Sequence, residues 1–223
     1  MQEQFSLVEM IQNLLQVGDE SWGLYAFSRD ILKERIPADK KIEMIKKAIA
    51  CGREYAQRMI CEFGSSDVQT IAEKLKLKVS LQDVRITGKR ILFACYTPPN
   101  EIEIMTEPVD KAVHLILKDE SMLIAYFKKG SIINIILGHE IFHYIEDQFE
   151  REIYTRTEKI LLWNLLGFKN CSTIRALSEI GAMAFTKELN GLQYSPFILD
   201  ILLYYGYDSS SAEKIYHDVL EMS

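Results

Sequence analysis

Histidine is scarce in this chain, with four in 223 residues, and targeting signals are scarcer still. The opening Met1-Gln2-Glu3-Gln4 carries no basic stretch leading into an apolar run, so no secretory signal is expected. The longest apolar runs, such as 132–137, fall far short of the ~20 residues that a bilayer span requires. Cys51, Cys61, Cys95 and Cys171 include no Cys-x-x-Cys pair, which fits buried free thiols better than a disulfide framework or a thiolate metal site. Basic excess is lacking too. With 26 Lys and Arg against 32 Asp and Glu, the net charge of −6 disfavours direct contact with a nucleic-acid backbone. The expectation is a cytoplasmic protein with neither membrane nor nucleic acid as a direct partner.

What is present is ordinary globular material: 48% hydrophobic and 26% charged residues. That length supports one substantial core more readily than two. Three segments are expected within one compact unit: an N-terminal helical segment over 1–64, a core over 65–197 and a helical tail over 198–223.

Apolar residues at Phe5, Val8, Ile11, Leu14 and Leu15 recur at helical spacing and predict a helix over 4–17. Further helices are predicted over 22–35 and 39–64, the latter capped by Asp39 and ended by Gly64. Ser66 and Gln69 have capping-box spacing before a short helix over 67–75. Alternation then predicts strands over 76–84, 90–96 and 101–105, with a turn at 97–100. A helix over 108–117 should bury Leu115, Ile116 and Leu117. Ser131 is expected to cap a helix over 132–147 whose first six residues are apolar nearly all round. The segment 151–169 reads equally as strand or helix. Ser172 is the expected cap of a helix running to Leu189, and one more helix is predicted over 211–220. The fold class is therefore α+β and mainly helical, with a small antiparallel sheet packed against the 132–147 helix and the helix that follows.

Chemistry enters at His139-Glu140-Ile141-Phe142-His143. Histidines four apart leave one face of a helix a turn apart, so both imidazoles reach a single metal ion, and the intervening glutamate lies beside it. In His-Glu-x-x-His the histidines hold zinc and the glutamate takes a proton from the activated water. Two imidazoles do not complete a site. Glu179 is the candidate third ligand, an acidic residue in mid-helix between Leu177 and Ile180, where a bare carboxylate is costly unless something binds it. The small Gly181-Ala182 pair beside it suggests close packing against another helix, with the one carrying the motif as the expected partner. Glu146, Asp147 and Glu150 are too far along the helix axis to share the metal. They read as groups behind the ligands or on the surface, with solvated charge favoured. Tyr144, Tyr194 and His217 are the candidate oxyanion donors, although His217, like His114, fits an ordinary structural or surface role better.

The motif, followed by Glu179-Ile180-Gly181-Ala182-Met183-Ala184-Phe185, resembles the ImmA/IrrE family of zinc metallopeptidases over about residues 50–197. The segment 67–75 is similar to that family's opening. Met183 stands where the family usually has a polar residue and Thr186 where it has alanine. The resemblance implies one zinc ion per chain, held by His139, His143 and Glu179, with Glu140 as general base. It further implies cleavage of a protein regulator, often a DNA-binding transcriptional repressor. With no helix-turn-helix extension in this chain, any DNA reading would belong to the partner. The expected function is a zinc-dependent endopeptidase. The alternative is a non-catalytic, metal-stabilised module that sequesters a partner regulator.

Overall fold

The computed structural model describes residues 5–83, 92–118, 122–165 and 168–223. Helix α1, Leu7–Leu14, opens with a capping box in which Ser6 and Glu9 satisfy each other's backbone amides. Helix α2, Asp19–Ser28, starts earlier than its apolar pattern suggested and stops before Asp30. There the Asp30 carboxylate accepts from the amide of Leu32 at 2.7 Å, a local turn that competes with helix. Only a short 3-10 turn, Lys33–Arg35, follows.

Helix α3, Ala38–Phe63, is the longest element and ends at Gly64, whose φ of 67° supplies the left-handed cap. Its buried stripe, Ile45, Ala48, Ile49, Gly52, Tyr55, Ala56 and Met59, follows the three-to-four spacing of one helix face. Helix α4, Val68–Lys74, takes its cap from Asp67 rather than Ser66, with the Asp67 carboxylate accepting from the amide of Thr70 at 2.8 Å.

Strands β1, Lys78–Gln82, β2, Ala94–Thr97, and β3, Glu101–Met105, form a sheet in the order β1-β3-β2. The expected strand ends at residues 84 and 90–91 lie outside the described residues. β2 pairs antiparallel with β3, whereas β1 runs parallel to it, so the small sheet is mixed. On β3, Ile102 and Ile104 are buried and Glu101 and Glu103 exposed, as one-sided packing requires.

Helix α5, Thr106–Lys118, buries Ile116 but turns Leu117 outward, because successive residues are rotated by about 100° and only one side of this helix is covered. Helix α6, Lys129–Gln148, carries the motif and begins before Ser131, with Lys128 at its cap position. Its stem buries Ile132, Ile135, Ile136 and Leu137, at roughly 1.5–3 kcal/mol per side chain. The ambiguous 151–169 segment becomes a single turn, α7, Tyr154–Thr157, and strand β4, Lys159–Leu165, paired antiparallel with β5, Phe168–Thr173. Ser172 thus belongs to a strand and caps nothing.

Helix α8, Arg175–Leu189, starts three residues after Ser172, and the Asp30 carboxylate accepts from its Ala176 amide at 2.8 Å. Helices α9, Ile198–Tyr205, and α10, Ser209–Leu220, close the chain; sequence pattern had predicted only the second. The result is the expected α+β, mainly helical class. One cluster of buried side chains runs from Leu7 to Val219 and takes residues from all three expected segments. No helix among the described residues is long and apolar enough to cross a membrane.

Candidate metal centre

Helices α6 and α8 run antiparallel and unusually close. A Cβ on Gly181 would meet the Phe142 ring at 2.8 Å, and one on Gly138 would meet Thr186 Oγ1 at 3.2 Å. Helix α3 presses on the other side of α8, where a Cβ on Gly52 would lie 2.2 Å from the carbonyl oxygen of Gly181. The expected role of the Gly181-Ala182 pair is therefore met by α6 on one side and α3 on the other. This stack fixes the spacing of the side chains that α6 and α8 present to each other.

His139, His143 and Glu179 meet at that junction. The two Nε2 atoms are 3.0 Å apart, Glu179 Oε2 is 3.4 Å from His139 Nε2, and one donor atom from each residue lies within 4.8 Å of the others. Metal bonds of ~2.0–2.1 Å in a tetrahedral site separate neighbouring ligand atoms by roughly 3.3 Å. The three side chains thus form a group able to hold a metal ion.

Behind the donors lies Glu146. Its side chain is fully buried, which corrects the solvated reading. It receives hydrogen bonds from His143 Nδ1 at 3.1 Å, Ser178 Oγ at 2.5 Å and Thr155 Oγ1, and pairs with Arg156 at 3.3 Å. Burial alone would raise the pKa of Glu146, but these partners outweigh it and hold the carboxyl below its usual range. Through Nδ1, Glu146 fixes the ring that aims Nε2 of His143 at the donor group. Sequence could not reveal this, because Thr155 and Ser178 arrive from other elements. Asp147 and Glu150 do lie in exposed positions.

The two imidazoles are tuned in opposite directions. Burial keeps His139 below its ordinary pKa, favouring the neutral, ligating form, while its Nδ1 has no partner among the described residues. Burial also works against charging His143, but the Glu146 hydrogen bond and the charges of Glu179 and Glu146 raise it overall.

A cleft of about 600 Å³ opens over the group, and Glu140, 8% exposed, lines it beside both histidines. Among the described residues no donor is hydrogen-bonded to the Glu140 carboxylate, which lines the cleft. Tyr144 stands edge-on to Tyr96, Tyr194 packs against Phe127, and His217 is exposed on α10 beside Phe5. None of these three lines the cleft; Tyr96 and Tyr204 do. Burial and the nearby Asp147 push the Tyr96 phenol up to about 12, so it remains a hydroxyl donor. His114 is exposed on α5. Arg29, Arg156 and Arg175 also reach the cleft wall, and no sequence motif marked them. No family model, no curated protein and no solved structure matches this chain.

Proposed function

We propose that this chain is a zinc-dependent endopeptidase of the ImmA/IrrE kind, hydrolysing a peptide bond in a protein substrate such as a transcriptional repressor. One observation carries the reading: three convergent donors and a second glutamate, Glu140, share one open cleft. A purely structural metal site has no use for such a carboxylate. His139, His143 and Glu179 would hold the zinc. Zinc bound there supplies Lewis-acid activation of water and of a carbonyl. Glu140 accepts the proton of the attacking water and returns it to the leaving amine. Glu146 keeps His143 oriented, and Tyr96 brings a hydroxyl to the wall on which a developing oxyanion would rest.

The non-catalytic alternative draws on a different observation. The β4–β5 hairpin exposes Leu161, Trp163, Leu165 and Phe168, a surface suited to gripping a partner without cutting it. Both readings expect bound metal, and cleavage separates them. Freshly purified protein is expected to carry about one zinc per chain, lost or greatly weakened in Glu179→Ala. New peptide termini should appear when a proteome-derived peptide mixture meets the wild type, and not when it meets Glu140→Gln. Cleavage that persists in Glu140→Gln would remove the mechanism.

A further inference from the structure

The cleft is polarised along its length. Because α6 and α8 are antiparallel, Glu146 faces Ser178 at one end of their contact and Gly138 faces Thr186 at the other. Toward the Gly138 end, Ile135 and Ile136 from α6 and Met183 from α8 line the cleft, and Leu199 and Leu203 of α9 also line it. Toward the Glu146 end lie Arg156 and Arg175, which share a side recess with His143 and Ser178. From Ile136 to Asp147 the helix axis advances about 16 Å at ~1.5 Å per residue. That length accommodates about five residues of extended peptide.

The cations on this wall are not equivalent. Arg29 is paired with Asp200 at 3.3 Å and bonded to the Tyr25 hydroxyl at 2.5 Å. Arg156 is held by Glu146 at 3.3 Å and reaches Asp147 at 3.7 Å. Among the described residues Arg175 has only a long contact, 3.5 Å to Glu179 Oε1, and its side chain is 76% exposed. Glu179 is moreover the carboxylate that the donor group engages through its other oxygen. A guanidinium in this position, at the mouth where two recesses join the main cleft, offers a planar two-pronged site for a carboxylate.

We propose that the cleft selects an acidic peptide, seating a substrate Asp or Glu against Arg175 on the His143 side of the donor group and an apolar side chain against Ile136, Met183 and Leu203 on the other. This rests on the peptidase reading of the same cleft and specifies its substrate class. Arg175 is then a specificity-determining residue that touches the substrate several ångströms from the reacting bond.

The test uses zinc-loaded, full-length Glu140→Gln protein and fluorescein-labelled octapeptides. In these a Leu-Phe pair lies three residues from a Glu or from a Gln, in both orders along the chain. Fluorescence anisotropy is expected to show the Glu peptide binding about tenfold more tightly than its Gln counterpart in one order, as charge-assisted bonds allow. Adding Arg175→Glu should abolish that preference and favour a Lys peptide, with the apolar preference retained. The exposure of Arg175 keeps the risk to folding small, and Arg175→Gln, which should lose the preference without reversing it, gives a milder control. Equal binding of Glu and Gln peptides in both orders would overturn the proposal, as would an acidic preference that survives Arg175→Glu. Cleavage of the same peptides by the wild type is scored separately. A charge preference in binding without any cleavage would remove the peptidase reading and leave the acidic-peptide site standing; cleavage indifferent to charge would do the reverse.

Discussion

Replacing Gly52 by alanine tests the helix stack at its tightest point. Helix propensity alone favours alanine over glycine in a helix interior by ~1 kcal/mol. The added Cβ would nevertheless lie 2.2 Å from Gly181 O, 2.8 Å from Phe185 N and 2.9 Å from Ala184 Cβ, where ordinary contact begins at 3.4 Å. Two of the three obstacles are main-chain atoms and have no rotamer to escape into. Helix α3 must withdraw by about 1 Å, and overpacking of this kind costs ~1–3 kcal/mol or more. With main-chain atoms in the way the upper part of that range, ~2–3 kcal/mol, applies, so the net expectation is a loss of ~1–2 kcal/mol, a fall in Tm of roughly 2–8 °C for a chain of this size. Glu179 lies two residues from Gly181 on α8, so zinc affinity, read by competition with a chelating dye, should also drop by about tenfold. Gly130→Ala is the control: its Cβ meets nothing within 4 Å and should be neutral or stabilising by up to ~1 kcal/mol. If urea unfolding finds Gly52→Ala as stable as the wild type, with zinc affinity unchanged, then α3 and α8 do not approach as described.

Glu146→Gln preserves shape but weakens the acceptor for His143 Nδ1, and zinc affinity should fall by about 10–100-fold; Asp147→Asn, at a half-exposed side chain, should change it far less. Asp200 gives a pH signature. Burial pushes its pKa up to about 6 against the pull of Arg29, compared with ~3.9 in an unfolded chain. Below about pH 4 both states are protonated and Asp200 contributes no pH dependence. Between about pH 4 and 6 the unfolded chain releases the proton first, so wild-type stability should decline relative to Asp200→Asn and then level off. Its side chain is 25% exposed, which trims the expected difference to ~1–2 kcal/mol. Thermal melts across this range that show the opposite slope would refute the shift.

Periodicity made α1 and α3 legible, because each buries one face at helical spacing, whereas the stem of α6 was legible as an apolar run leading into the motif. The donor triad was legible for a different reason: a metal demands particular residue types, and few others satisfy it. Capping was harder to read. Ser66, Ser131 and Ser172 each have the chemistry of a cap, yet Asp67 takes the first helix, Lys128 precedes the second, and the third draws on Asp30 from 146 residues away. Residues 198–205 are apolar at every position but Asp200 and follow Pro196 with no side-chain cap to mark a start, which is why α9 escaped. Glu146 shows the same limit. Its place one turn beyond His143 was visible, but its burial depends on Thr155, Arg156 and Ser178, which only the tertiary fold brings near.

The walls of the cleft divide the labour of the chain. All three donor atoms sit on α6 and α8, whereas Arg29 comes from beyond the end of α2 and Leu199, Asp200 and Leu203 from α9. These outer elements shape what fits without supplying an atom to the donor group. Substitutions there are therefore expected to reshape the cleft while the inner pair of helices stays fixed. A fragment cut down to 65–197 would keep every donor residue but lose one side of the cleft and, with α3, the helix that presses on α8.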